Sequence, residues 1–163
     1  MPAGVFLVQR GVTWVTPTDL MPTTYSGSVA RLYATGDTEM YVECSDTNGL
    51  WIPFRLPLPN EMAGVAVKLT ELIIYYRTTT AGAYIDATQV RQLNPADGTF
   101  TAALNHTADL GNGATGHANA SLLPGPLTLA AGYPYVIALK QAGATAWGQV
   151  RVYGFKATWE ATG

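Results

Sequence analysis

The stretch Tyr133–Trp159, YPYVIALKQAGATAWGQVRVYGFKATW, decides the fold class. Two runs of β-type residues flank the connector Ala142–Trp147, in which small residues dominate. Side chains alternate across a strand, so Tyr133, Tyr135, Ile137 and Leu139 share one face of the first run. In the second run Val150 and Val152 share a face, and the apolar set then moves to Phe155, Ala157 and Trp159. The change of parity falls at Gly154, where an unpaired extra residue or a tight kink is expected. The stretch reads as a long C-terminal hairpin with one bulge, central to a β-sandwich. Ile137, Leu139, Val152 and Phe155 are its expected core residues, with Trp159 alongside them.

Composition agrees with an all-β chain. Its 163 residues include 17 Gly and 10 Pro and are rich in Thr, which favours strands and turns. A chain of this length is one domain by prior and buries roughly 70% of its unfolded surface. Charged residues make up only 12%, against about 25% in an ordinary soluble domain. Interface cores are depleted in charge, so the deficit points to burial in an assembly; a neutral extracellular surface is the other reading. The net charge is −2 and the basic residues are scattered singly. Phosphate neutralisation needs a basic stripe, so nucleic acid is not an expected partner. The lone Cys44 cannot form an internal disulfide and reads as a small buried hydrophobe. No apolar run reaches the 18 residues of a membrane span, and the opening MPAGVFLVQRGVTWVTP lacks the basic run and cleavage site of a signal peptide.

In chain order, Val5–Val15 reads as a strand with a bulge at Gly11, followed by a proline-bearing loop. Ser28–Ala34 and Glu39–Cys44 form two short strands, the second with carboxylates on one face. Leu50–Pro59 holds three prolines and therefore reads as an edge strand. Val65–Arg77 is the strongest strand of the first half, with a parity shift near Thr70 and Glu71. Ala83–Leu93 is its expected hairpin partner. Asn94–Gly98 is a turn, Thr99–Leu104 a short strand, and Asn105–Ser121 the least regular segment. Leu127–Leu129 precedes the C-terminal stretch. The expectation is an antiparallel β-sandwich of about eight to ten strands without substantial helix, forming one domain over 1–163, with 1–27 as an N-terminal arm or edge strand.

Candidate chemistry is sparse. Gly111–Gly116 matches G-x-G-x-x-G, but Pro124 and Pro126 deny it the helix that a dinucleotide site needs, so it reads as a flexible loop. His106, Asp109 and His117 have metal-ligating side chains in a segment with no element to fix them, and they read as polar loop residues. Glu39 and Glu43 share a face, yet they stand about 13 Å apart along a strand, beyond the usual separation of catalytic carboxylates. No nucleophile sits beside a base. No cofactor, no metal and no catalytic activity are expected. Two glycosylation sequons, at Asn105 and Asn119, matter only in a eukaryotic secretory pathway. Among the four Trp and nine Tyr, Trp147 in the connector and Tyr25 in the first long loop are the expected exposed contacts for a protein partner or a glycan.

WIPFRLPLP at 51–59, the pair VKLTELIIYYR at 67–77 and YIDATQVRQL at 84–93, and YPYVIAL with GQVRVYGFKATWEA near the C-terminus together resemble the compact jelly-roll modules of phage virion and bacterial surface proteins. The resemblance covers about two thirds of the chain and lies in strands and turns, not in a signature motif. It implies a jelly-roll sandwich that assembles with copies of itself or docks on a larger particle. The expectation is a non-enzymatic structural protein of a virion, as a capsid, decoration or tail-associated subunit, whose partners are copies of itself and other virion or surface proteins. The alternative is a carbohydrate-binding or adhesion module, extracellular or on a cell surface, because fold does not choose function.

Overall fold

A computed structural model describes residues 8–21, 30–35, 39–45, 51–59, 65–111 and 113–162. Eleven strands run along them: β1 (Val8–Val15), β2 (Ala30–Thr35), β3 (Glu39–Cys44), β4 (Trp51–Leu56), β5 (Val67–Thr78), β6 (Tyr84–Leu93), β7 (Phe100–His106), β8 (Gly116–Ser121), β9 (Leu127–Leu129), β10 (Tyr135–Ala142) and β11 (Val150–Thr162). One 3-10 turn, Pro17–Asp19, follows β1. All pairings are antiparallel and form two sheets. The larger runs β2-β3-β11-β5-β8, with β1 also on β11 and β9 also on β5; the smaller runs β4-β10-β6-β7.

The pairings nest. β3 pairs with β11, β4 with β10, β5 with β8 and β6 with β7. Eight strands thus make one long antiparallel hairpin whose tip is the β6–β7 turn. The hairpin is rolled so that successive pairs fall in alternate sheets, which is jelly-roll topology. The expected all-β jelly-roll sandwich is therefore the fold.

Rolling overturns two expected hairpins. β10 and β11 do not pair: β10 lies in the smaller sheet between β4 and β6, and β11 lies in the larger beside β3, β1 and β5. Likewise β5 and β6 belong to opposite sheets. Both connectors are arches across the sandwich, and they pack on each other. The Thr79 amide donates to the Gln149 carbonyl (3.0 Å), and Gly143, at φ +73°, lies so close to the Gly82 carbonyl that no Cβ would fit. Small residues in the connector serve this close approach rather than a two-strand turn.

The parity shifts are where the alternation places them. Val152 pairs with Tyr76 and Gly154 with Tyr75, leaving Tyr153 as the extra residue of a bulge. Further on, Thr158 pairs with Glu71 and Trp159 with Leu69, so Thr70 is extra on β5; its hydroxyl donates to the Thr158 carbonyl (3.2 Å). Gly11, by contrast, carries no bulge: β1 pairs with β11 in unbroken register. The Trp159 ring occupies the space that a Cβ on Gly11 would need, and its indole N–H donates to the Thr13 hydroxyl (3.0 Å).

Between the sheets, Ile52, Phe54, Leu56, Ile85, Ile137 and Leu139 of the smaller meet Leu69, Leu72, Ile74, Val152 and Phe155 of the larger, all fully buried. Phe54 and Phe155 meet edge-on with ring centroids 5.3 Å apart. Each such side chain contributes about 1.5–3 kcal/mol relative to exposure. The four named core residues, Ile137, Leu139, Val152 and Phe155, are inside, and Trp159 is partly buried against them. Cys44 is buried, and burial pushes its thiol up to about 12. β4 is an edge strand, which is where its one proline, Pro53, is tolerated; Pro57 and Pro59 follow its end. The segment expected to be least regular contains β8, a regular edge strand of the larger sheet. Among the described residues no helix is long and apolar enough to cross a membrane.

Candidate functional site

The outward face of the larger sheet carries the chemistry. Alternation sends Tyr76 into the core and Tyr75 out; the bulge sends Tyr153 out beside Gly154. Trp14 is on the outward parity of β1, because Val15 next to it is buried. Gly154, between β1 and β5 in the sheet, has no side chain, so Trp14 and Tyr75 meet across β11 with ring centroids 5.8 Å apart. Similarly His117 of β8 reaches over β5 to Tyr153 of β11, at 5.1 Å. Two aromatic pairs thus bound a groove of about 410 Å³, floored by Val15, Tyr76, Gly154 and Ala118, with Thr16 and Asn119 at its rim.

A polar network fixes one wall. The Tyr153 hydroxyl donates to the Glu39 carboxylate at 2.6 Å, Arg151 Nη1 lies 3.5 Å from the same carboxylate, and His117 Nε2 lies 3.8 Å from it. The Tyr153 hydrogen bond, with Arg151 and His117 behind it, holds the Glu39 carboxyl below its ordinary range. Burial, then the Glu39 carboxylate, pushes the Tyr153 phenol up. Arg151 also donates to the Gly148 carbonyl (3.1 Å) and lies over Tyr41, 4.6 Å from the ring centroid. Tyr41 in turn touches Tyr33 (5.3 Å) and Tyr153 (5.8 Å), extending the aromatic face to β2. The opposite wall is steadied by Asp19, whose carboxylate accepts from the Thr16 amide at 2.7 Å just after Trp14.

Of the residues singled out in the sequence, His117 lines the groove and Glu39 stands behind it; the others that the structure describes do not line it. Trp147 is half-buried and lies under the Arg31 guanidinium, 4.2 Å from the ring centroid, while Arg31 pairs with the buried Glu43. Tyr25 lies outside the described residues. His106 is on β7 of the smaller sheet and His117 on β8 of the larger; among the described residues no three His, Cys, Asp or Glu gather as a metal site. The G-x-G-x-x-G segment leads into a strand, not a helix. It is anchored, since the buried Thr78 hydroxyl donates to the Gly111 carbonyl (2.6 Å) and accepts from the Thr115 amide (3.1 Å). Glu39 and Glu43 are each engaged by an arginine. Sequence reasoning missed Trp14, Tyr75 and Tyr153 as neighbours. Their signal was aromatic residues at the outward parity of strands whose other face is buried.

Neither a protein-family model nor a curated protein matches the chain. Among solved structures it is similar to one described as the structure of infectious bursal disease virus, Gt strain, at 13% identity and TM-score 0.40. That likeness covers 94% of this chain and 36% of the viral one, so the chain spans about a third of its viral counterpart. It is also similar to the K3 cleaved adhesin domain of Lys-gingipain from Porphyromonas gingivalis W83, at 15% identity and TM-score 0.38, over 93% of this chain and 98% of that domain. Both likenesses are too distant to carry function.

Proposed function

We propose that this chain is a non-enzymatic structural subunit that packs against copies of itself within a phage or virus particle, as a capsid, decoration or tail-associated protein. The observation that supports it is the uncovered end of the β2–β3 hairpin. Met40 has the same parity as the buried Val42 and Cys44, and Leu32 pairs with Val42, so both point to the core side of the sheet. Yet Leu32 is 47% and Met40 46% exposed. Among the described residues the smaller sheet does not cover them. Apolar area left in water forfeits about 25 cal/mol per Å², which a second copy recovers by covering it. A net charge of −2 with 12% charged residues puts little repulsion in the way.

Light scattering after size exclusion tests the proposal. The expected result is a defined oligomer that Leu32→Glu with Met40→Glu converts to a folded monomer. A native chain that stays monomeric at high concentration, or an oligomer indifferent to both substitutions, sinks the reading.

A further inference from the structure

We infer that the groove between the Trp14–Tyr75 and His117–Tyr153 pairs is a binding site for a neutral pyranose glycan. The site is distinct from the surface at Leu32 and Met40 and does not depend on assembly.

Shape comes first. A volume of about 410 Å³ falls in the range of small-molecule sites, and the groove is open along the sheet surface, which suits a chain of rings more than a compact ion. Chemistry agrees. Trp14 is 57% exposed, an outlay of apolar surface at the mouth of a cleft. A pyranose ring offers an apolar face of C–H bonds and a rim of hydroxyls. Flat aromatic faces match the first, and the exposed Asn119 amide, the His117 imidazole and Thr16 supply donors and acceptors for the second.

Charge selects among sugars. None of the residues lining the groove is an Asp, Glu, Lys or Arg, and the Glu39 carboxylate behind one wall already faces Arg151, Arg77 and the Tyr153 hydroxyl. Sialylated, sulfated or phosphorylated glycans therefore gain nothing there, and a nucleic acid finds no basic stripe. The walls are set before binding. Tyr153 is held by the bulge and by Glu39, and Trp14 stands between the buried Val15 and a regular β-ladder, so little ordering remains to oppose association.

The test titrates the folded chain with cello-, xylo-, manno- and N-acetylchito-tetraose, following tryptophan fluorescence and calorimetry, with a sialylated tetrasaccharide as the charged comparison. At least one neutral tetraose is expected to bind, and to bind better than the charged one. Trp14→Ala should weaken binding by roughly two- to tenfold, as for one lost aromatic contact, with the larger loss in Trp14→Ala/Tyr75→Ala. Trp147→Ala, outside the groove, should leave affinity unchanged. Circular dichroism confirms that each variant is folded. No binding of any neutral tetraose overturns the inference, as does binding that Trp14→Ala/Tyr75→Ala leaves intact. A Trp14→Ala substitution that dissolves an oligomer in the absence of sugar binding overturns it too, since the groove's occupant is then a second copy.

Discussion

Replacing Gly154 by alanine should damage this fold more than its size suggests. Gly154 has φ +136°, a region that side-chain-bearing residues avoid, and an added Cβ would overlap the Val15 carbonyl. The backbone strain alone costs about 1–3 kcal/mol. Relieving the overlap means moving the end of β1, where Val15 pairs with Phe155, at the expense of one or two ladder hydrogen bonds worth about 0.5–1.5 kcal/mol each. The total is about 2–6 kcal/mol, and at about 2–4 °C per kcal/mol the Tm should fall by roughly 4–24 °C. Urea unfolding with a thermal melt measures both. Gly125→Ala is the control: nothing lies within 4 Å of its added Cβ and its φ is not in the positive range, so its effect should stay within about 0.5 kcal/mol. If Gly154→Ala proves as mild as Gly125→Ala, the bulge is not the rigid hinge that positions Tyr153 and opens the groove.

Two further outcomes are expected. The Cys44 thiol, fully buried and pushed up to about 12, should not react with a thiol reagent at pH 8 in the native state and should react at once in denaturant; comparable native and denatured rates would place it at the surface. Acid should weaken the larger sheet: Glu39, held low chiefly by Tyr153, and Glu71, held low chiefly by Lys156, both have depressed carboxyls. A depressed carboxyl contributes stability that is present above its unfolded value and lost as pH falls through its folded one. Stability should therefore drop below the ordinary carboxylate range, and Glu39→Gln should flatten that drop; an unchanged pH slope in the variant removes Glu39 from the account.

The groove and the exposed hairpin end arise from one feature of the fold. The larger sheet has more strands than the smaller can cover, so part of its inner face at Leu32 and Met40 is left in solvent. Its outer face, which no sheet covers among the described residues, bears the aromatic side chains. Neither surface needs a motif. Both depend on which residues of distant strands become neighbours, as Trp14 and Tyr75 do only because β1 and β5 flank β11. No local pattern contains that relation, which is why Trp147 and Tyr25 drew attention instead: an aromatic in a loop stands out along the chain, whereas one on an outward strand face does not.

Back at Tyr133–Trp159, the alternation of Tyr135, Ile137 and Leu139, and the break in it at Gly154, were enough to mark strands, their buried faces and the position of a bulge. Those properties follow from the two-residue repeat of a single strand, which is covalent geometry and needs no partner. The same holds for Thr70, for the burial of Cys44 and for the edge placement of the proline-bearing β4. Which strand lies beside which was decided by the tertiary structure alone. A run such as β10 can bury the same face from either sheet, so periodicity is silent on whether the segment between Ala142 and Val150 turns back in one sheet or crosses to the other. The crossing prevails because nested pairing gives β10 and β11 partners on both sides and closes the core around Phe54 and Phe155.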